Sequence, residues 1–345
     1  MNTIRLIAIA FPVMLLITAC GGGGGGGGTP TTMMPGTNDP MTTPDPMTTP
    51  TVMLEPLPGY AITDTGLARR ETGGTVPTAS NTMNETAIVT EIQRIATAAD
   101  TFEFRNFGPT ASAVTVECSN KSCTTGNIDD VGMLTFSLTG IDDLSLVDDT
   151  GLVGFDSNTQ AVMVDEGVTM IQSQAAAGQN DGTHLTFQSY GGWLTNTVFG
   201  VERLVVTESG TDTTRYASFS FGKESGSNPT GNMLVNWNGV MVGRNTETGY
   251  LVHGDVTVQY ALATPNVLDT IIFDSVKNLN DGSDITFVSG TTLNFQSIPL
   301  TNGRFESATA SGDIKGSFYG SSYEEVGGIF NSSANNLIGA FGAKK

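Results

Sequence analysis

Beyond Phe102, apolar and polar residues alternate over short stretches that end at Gly, Asn or Asp. Alternation with a period of two is typical of β-strands with one buried face. We predict strands at residues 113–118, 133–138, 185–189, 204–207, 216–221, 233–242, 256–260, 270–273, 293–297, 316–319, 328–330 and 337–341. Around a dozen strands at this spacing predict an all-β sandwich or barrel.

The stretch at residues 233–242 shows the alternation most clearly. Four apolar side chains share one face and two amides the other: Met233, Val235, Trp237 and Met241 against Asn236 and Asn238. Such a face closes over a core. The alternative is a membrane-spanning barrel, whose strands point apolar residues outward and carry aromatic girdles. Aromatic residues make up only 8% of the chain, which favours a soluble barrel.

One segment before the strands has a helical period. Ile88, Ile92, Ile95 and Ala99 recur at intervals of 4, 3 and 4 residues, and Asn84 stands where an N-cap is expected. The pattern predicts a short amphipathic helix over residues 84–100.

The first nineteen residues have the layout of a secretory signal peptide: Arg5, an apolar run over residues 6–17, then small residues. The run is shorter than the about 20 residues of a membrane-spanning helix. Ile17-Thr-Ala-Cys20 resembles the lipobox of bacterial lipoproteins. The resemblance implies that Cys20 becomes the mature N-terminus and carries acyl chains, among them palmitate. In related lipoproteins an Asp directly after the cysteine resembles a signal for retention in the inner membrane. Residue 21 is Gly instead, which favours an outer-membrane location. The alternative is an ordinary signal peptide followed by an unrelated cysteine.

Residues 20–60 read as a lipid anchor followed by a disordered Gly/Pro/Thr stalk. Eight glycines occupy residues 21–28, and eight of the 14 prolines lie between Pro30 and Pro58. Glycine runs are flexible and proline keeps a backbone extended, so a tether of roughly 40 residues reaches about 35 Å or more.

Charge excludes one class of partner. The chain has 15 Lys and Arg against 34 Asp and Glu, a net charge of −19, so a nucleic acid would be repelled. Between Lys121 and Arg203 there are eleven acids and no Lys or Arg. They include the adjacent pairs Asp129-Asp130, Asp142-Asp143, Asp148-Asp149 and Asp165-Glu166. A solvated surface, a face for a basic partner and a Ca²⁺ site are the three interpretations.

The end of the chain carries three strand motifs: Gly316-Ser-Phe-Tyr-Gly320, Glu324-Glu-Val-Gly-Gly-Ile-Phe330 and Ile338-Gly-Ala-Phe-Gly-Ala-Lys-Lys345. They resemble the last strands of the β-barrel in the transferrin-binding protein B family of surface lipoproteins. Residues 191–194, 217–222 and 238–243 resemble that barrel's opening strands. The resemblance implies an antiparallel eight-stranded barrel over residues 183–345, preceded by a smaller β-rich handle-like region over 61–182. Glycines inside the strands are predicted to be structural.

Receptors of that family that bind transferrin have two lobes, and this chain has room for one. The resemblance therefore implies a cell-surface location and binding of an extracellular protein or solute, in iron or haem-protein acquisition. An outer-membrane transporter or translocator is an implied second partner. Loops 209–214, 223–231, 244–249 and 278–284 are the candidate contacts, because loops on rigid strands commonly carry recognition. The alternative is a structural or assembly lipoprotein of the envelope without a soluble ligand.

Catalytic chemistry is sparse in the sequence. Cys118 and Cys123 are predicted to form a disulfide, with free thiols or a two-cysteine metal site as alternatives. We expect no metal, no cofactor and no enzymatic activity, because no recognised nucleophile, zinc or phosphate-loop motif occurs. His184 and His253 are interpreted as structural rather than catalytic. An Asp/Glu pair for glycoside hydrolysis stays open at this stage.

Overall fold

The computed structural model describes residues 100–106, 114–119, 122–125, 135–137, 160–178, 184–208, 210–309 and 312–345. These residues form 17 β-strands and one 3-10 turn, Ser333–Asn335. The signal peptide, Cys20, the stalk and residues 84–99 of the predicted helix lie outside the described residues. Asp100, the last residue of that predicted helix, is instead the first residue of a strand.

No helix in the described part of the chain has both the length and the apolar character needed to cross a lipid bilayer.

Nine antiparallel strands form an open sheet. They are β1 (Asp100–Asn106), β2 (Val114–Ser119), β3 (Ser122–Thr125), β4 (Thr135–Ser137), β5 (Gln160–Asp165), β6 (Val168–Gly178), β7 (His184–Trp193), β8 (Thr197–Glu208) and β9 (Thr211–Gly222). Their spatial order is β4-β3-β2-β1-β9-β8-β7-β6-β5. The first and last strands in sequence, β1 and β9, are therefore neighbours, and Asp100 pairs with Gly222.

Eight further strands close an antiparallel barrel, which confirms the predicted fold. They are β10 (Leu234–Asn245), β11 (Leu251–Ala261), β12 (Val267–Asn278), β13 (Leu293–Thr301), β14 (Arg304–Thr309), β15 (Gly312–Tyr319), β16 (Glu325–Ser332) and β17 (Leu337–Lys344). Each strand pairs with its neighbour in sequence, and β17 pairs with β10 to complete the ring.

The barrel begins later than the predicted residue 183. Its first strand starts at Leu234. Two of the segments that resemble the opening barrel strands, 191–194 and 217–222, lie in the open sheet instead. The reason is a long-range pairing: β9 pairs along its full length with β8 on one side, and its residues 216–222 pair with β1 on the other. Only residues 238–243 of the three compared segments belong to the barrel.

All twelve predicted strands overlap strands of the structure, whereas β1, β3, β5, β6 and β14 were missed. In β10 the predicted alternation is confirmed at Trp237 and Met241, which are fully buried, and at Asn238, which is exposed. Met233 departs from the prediction: it is 71% exposed, because it precedes the strand.

Two cores hold the unit together. The barrel interior is filled with aromatic rings, among them Phe273 and Phe330, whose centroids are 4.5 Å apart. A second cluster joins sheet residues such as Met170 and Phe199 to Val240 and Ile329 on the outer side of the barrel. The sheet therefore covers part of the outside of β10, β16 and β17, so that outward-facing residues such as Val240 and Ile329 are buried as well.

Candidate recognition surface

Because the barrel strands alternate in direction, the loops between them fall at two ends, which we call rims. The proximal rim consists of residues 223–233, 262–266, 302–303 and 320–324. The distal rim consists of residues 246–250, 279–292 and 333–336. Loops positioned by rigid strands are the usual place for recognition, so the candidate site is sought on these rims.

The β10–β11 turn of the distal rim is held by the side chain of Asn245. Its Oδ1 accepts hydrogen bonds from the backbone N–H of Glu247 at 3.0 Å and of Thr248 at 2.8 Å. Gly249 adopts a positive φ of 76° and leaves room for Tyr216 of the sheet, whose hydroxyl would lie 2.9 Å from a Cβ at this position. The turn is therefore rigid, and β9 of the sheet reaches this rim.

The loop after β12 is closed by a similar set of short-range bonds. Asp281 Oδ1 accepts hydrogen bonds from the backbone N–H and the hydroxyl of Ser283, at 2.9 and 2.6 Å. These bonds hold the pKa of the exposed Asp281 carboxyl below its ordinary value, so the loop carries a negative charge at neutral pH. The N–H of Leu279 donates to the carbonyl of Leu251 at 2.8 Å and ties the loop to β11.

The remaining loops of the distal rim are bonded to one another. The N–H of Thr246 donates to the carbonyl of Asn336 at 2.7 Å, and the Asn336 amide donates to the Glu247 carboxylate at 3.0 Å. The N–H of Val288 donates to Oδ1 of Asn335 at 2.9 Å. The three loops form one connected structure with little freedom to lose on binding.

The exposed side chains of this rim combine acidic and apolar character. Tyr250 is 43% exposed and Val288 is 79% exposed. Glu247, Asp281 and Asp284 are also exposed, and Asp284 pairs with Lys277 at 2.5 Å. An aromatic ring and an aliphatic side chain among carboxylates suit a partner with a basic surface and apolar pockets.

The four predicted contact loops do not form one surface. Residues 244–249 and 278–284 lie at the distal rim, whereas 223–231 lie at the opposite rim. Thr211–Thr214 are part of strand β9 rather than of a loop. Residues 285–292 and 333–336 of the distal rim were not among the predicted contact loops. Gly290 and the Asn335-Asn336 pair are turn signals that mark these segments.

The backbone places the two cysteines of the predicted disulfide opposite one another. Cys118 of β2 and Cys123 of β3 are directly paired in an antiparallel hairpin. Directly opposite residues have Cα atoms about 4.5–5.5 Å apart, which lies within the range that a disulfide bridges. The disulfide stays a prediction, and Cys20 lies outside the described residues.

His253 is buried between the sheet and the barrel. Its Nδ1 lies 2.8 Å from the Tyr190 hydroxyl and its Nε2 lies 2.8 Å from Oδ2 of Asp165. Asp165 was grouped with the surface acids in the sequence analysis, and this is wrong: the residue is 6% exposed and Glu166 alone of that pair faces solvent. The arrangement fits the structural interpretation of His253. The other three acidic pairs lie outside the described residues.

Metal ligands do not gather in the described part of the chain, where no group of three or more His, Cys, Asp or Glu side chains has suitable geometry.

The C-terminal part of the barrel is similar in sequence to a known protein family. Residues 286–345 match the family profile described as the C-lobe and N-lobe β-barrels of Tf-binding protein B. The matched segment contains the last five barrel strands, β13 to β17, and includes the three C-terminal motifs. No curated protein has significant sequence similarity to the chain.

Solved structures with similarity to the chain include transferrin-binding protein B from Haemophilus parasuis, at 14% identity over 68% of this chain and 53% of that one, with a TM-score of 0.32. The chain thus spans about half of that relative. The protein of the same name from Actinobacillus pleuropneumoniae is 11% identical over 72% and 99% of the two chains, with a TM-score of 0.32. The N-lobe of lactoferrin-binding protein B from Moraxella bovis is 12% identical over 52% and 80%, with a TM-score of 0.23. Residues 286–345, which include the last five strands of the closed barrel, are thus similar to the β-barrels of transferrin-binding protein B.

Proposed function

We propose that the chain is a lipoprotein of the outer membrane, anchored through acyl chains on Cys20, that binds an extracellular protein at its distal rim. The single observation that carries the binding proposal is the exposure of Tyr250 and Val288 on loops that are bonded to one another. Preformed loops bind with a small entropy cost, and a partly exposed tyrosine is a common anchor of protein interfaces.

The family match supports the class of partner. The barrels that the profile describes come from a protein named for binding transferrin. We propose that the partner here is likewise an extracellular iron-carrier or haem protein, with a basic surface that complements Glu247, Asp281 and Asp284. An outer-membrane transporter or translocator is the proposed second partner. In this proposal the chain binds its partner and catalyses no reaction.

The test uses purified full chain and three immobilised probes: transferrin, lactoferrin and haemoglobin. We expect binding to one of them, and a loss of about tenfold or more in affinity for Tyr250→Ala and for Val288→Asp. Met233→Ser is the matched control, since Met233 is an exposed apolar residue at the opposite rim, 71% exposed against 79% for Val288. No binding to any probe, or an equal loss for the control, contradicts the proposal.

Surface display is tested separately by protease treatment of intact cells. We expect loss of the folded unit from cells that carry the native chain. Complete protection would favour the structural lipoprotein of the envelope instead. Persistence of lipid labelling in Cys20→Ser would contradict the anchor.

A further inference from the structure

Three exposed lysines of the described residues lie at one rim of the barrel, whereas Lys277 at the other rim is 35% exposed and paired with Asp284. Among the Lys and Arg side chains whose exposure the structure describes, only Lys223, Lys344 and Lys345 are exposed, and the others are buried or half-buried. Lys223 opens the proximal rim, Lys344 is the last residue of β17, and Lys345 follows it at the same end of the barrel. The distal rim is acidic, so the unit carries charge of opposite sign at its two ends.

The proximal rim also carries three of the exposed large apolar side chains. Met233 is 71%, Leu234 is 62% and Val267 is 39% exposed. They lie close together, because the N–H of Leu262 donates to the carbonyl of Met233 at 3.0 Å and Leu262 belongs to the short loop that leads to Val267. Val267 pairs with Pro299, which is exposed as well.

The exposed lysines and apolar side chains of this rim are called the band, and the loop 320–324 joins Lys223 to Lys345. The carbonyl of Lys223 accepts a hydrogen bond from Gly320, at the start of the loop 320–324. The N–H of Lys345 donates to the carbonyl of Glu324 at the end of that loop, and its Nζ lies 5.3 Å from the centre of the Trp237 ring. Glu324 is the exposed acid within the band. Outside it, exposed Glu166 adjoins Gly167, whose carbonyl accepts a hydrogen bond from Lys344.

The described fold also begins at this rim. Asp100, the first described residue, pairs with Gly222, which directly precedes Lys223. The segment that links Cys20 to the folded unit therefore enters it beside the lysines.

We propose that the proximal rim docks on a lipid bilayer with anionic head groups, placing Met233, Leu234 and Val267 against the interface and the three lysines among the head groups. The inference rests on the lipid anchor of the proposed function. Lysine with aliphatic side chains is the composition of membrane-surface binding, whereas protein interfaces are depleted in lysine and enriched in Tyr, Trp and Arg. The contact is weak by itself and is made effective by the high local concentration that the tether provides. Docking directs the acidic distal rim away from the membrane, toward an extracellular partner.

The test compares a tryptophan placed at each rim of the lipid-anchored full chain. Met233→Trp and Val288→Trp are each reconstituted in vesicles of phosphatidylcholine and phosphatidylglycerol. Tryptophan fluorescence is recorded with and without brominated acyl chains, which quench it. The quenching found for the parent chain is subtracted from that of each variant. We expect quenching at residue 233 that exceeds quenching at residue 288 by about threefold or more. Equal quenching at both positions, or stronger quenching at residue 288, overturns the proposal.

Charge is tested in the same vesicles. The triple variant Lys223→Gln, Lys344→Gln and Lys345→Gln is expected to lower the quenching at residue 233 to the value found in pure phosphatidylcholine. Lys277→Gln, at the distal rim, is the matched control and is expected to change nothing. Unchanged quenching in the triple variant contradicts docking on anionic lipid, and self-association of the chain that protects residue 233 would assign the rim to a second copy.

Failure of the anchor is distinguished by flotation of the vesicles. A chain that does not float with the lipid contradicts lipidation at Cys20. In that case docking is tested with Met233→Trp in a chain that also carries Cys20→Ser, at millimolar lipid. The lysines and aliphatic side chains then act without a tether. Quenching at residue 233 in that background supports docking, and its absence overturns it.

Discussion

The ring of Phe199, on β8 of the sheet, lies directly over Gly342, on β17 of the barrel. A Cβ at residue 342 would lie 2.3 Å from Cε1 of Phe199, and a Cβ at Gly192 would lie 2.4 Å from Cζ of the same ring. The two glycines leave the space that the fully buried ring occupies. Close packing of the sheet on the barrel therefore depends on the absence of side chains at these positions.

Gly342→Ala is expected to destabilise the unit by about 1–3 kcal/mol, because the added methyl group must displace the Phe199 ring or separate the sheet from the barrel. The free energy of unfolding is measured by urea denaturation. Phe199→Leu provides the test of mechanism: combined with Gly342→Ala, it should cost less than the sum of the two single changes. Additive costs would contradict the contact.

His253→Ala is expected to lower the free energy of unfolding by about 3 kcal/mol or more, because the imidazole joins Asp165 and Tyr190 of the sheet to the barrel in a buried site. Lys277→Ala is the control, since its ion pair with Asp284 is exposed and should cost less than about 1 kcal/mol. Equal costs in urea denaturation would show that the buried contact does not hold the two parts together.

Glu325 makes stability depend on pH. Its carboxylate accepts hydrogen bonds from the N–H groups of Thr195 and Asn196, both at 2.9 Å, yet burial raises its pKa above the ordinary value. The folded state then binds the proton more tightly than the unfolded state. The contribution of Glu325 to the free energy of unfolding should therefore fall as pH rises from the unfolded-state pKa of about 4.3 through the raised folded-state pKa. Glu325→Gln should abolish this fall.

The neighbouring Glu324 supplies a control of opposite sign. The Ser322 N–H lowers the pKa of the exposed Glu324 carboxyl, so its contribution to stability is present above the unfolded-state pKa and is lost as pH falls through the folded-state pKa. Denaturation curves recorded between pH 3 and 7 should show the two Gln variants departing from the parent in opposite directions. The same direction for both variants would refute the assignment.

Oxidation of Cys118 and Cys123 is expected to make the non-reduced chain two hydrogens lighter than the reduced chain by intact mass. Closing so short a hairpin should contribute about 2 kcal/mol to the free energy of unfolding, because the loop between the cysteines is small. Cys118→Ser together with Cys123→Ser removes the mass difference. Identical masses before and after reduction of the parent chain would show that the thiols are free.

The alternation of apolar and polar residues was sufficient to identify most strands, whereas the eight-stranded barrel was implied by the family resemblance of the C-terminal motifs. It worked where one face meets the core and the other meets water, as at Trp237 and Asn238. It was less informative at Val240 and Val242, which point outward and are buried all the same. Their burial comes from the sheet packed on the outside of the barrel, which no local pattern reports.

The recognition surfaces were only partly predictable for the same reason. Turn residues identified loops 244–249 and 278–284, but not that they share a rim with Val288 and Asn335. Nor did they reveal that loop 223–231 lies at the other end, beside Lys345. Which loops meet depends on strand direction and ring closure, which are properties of the whole barrel.

By itself, the sequence determined the all-β class, the closing strand motifs and the lipobox-like Cys20, because each depends on residues that are near one another in the chain. Only the tertiary structure decided that β7 to β9 belong to the open sheet, that Asp165 is buried against His253 and that the exposed lysines gather at one rim. These features arise from pairings between residues tens of positions apart. Their energies come from burial and hydrogen bonding that exist only once the sheet and the barrel have packed together.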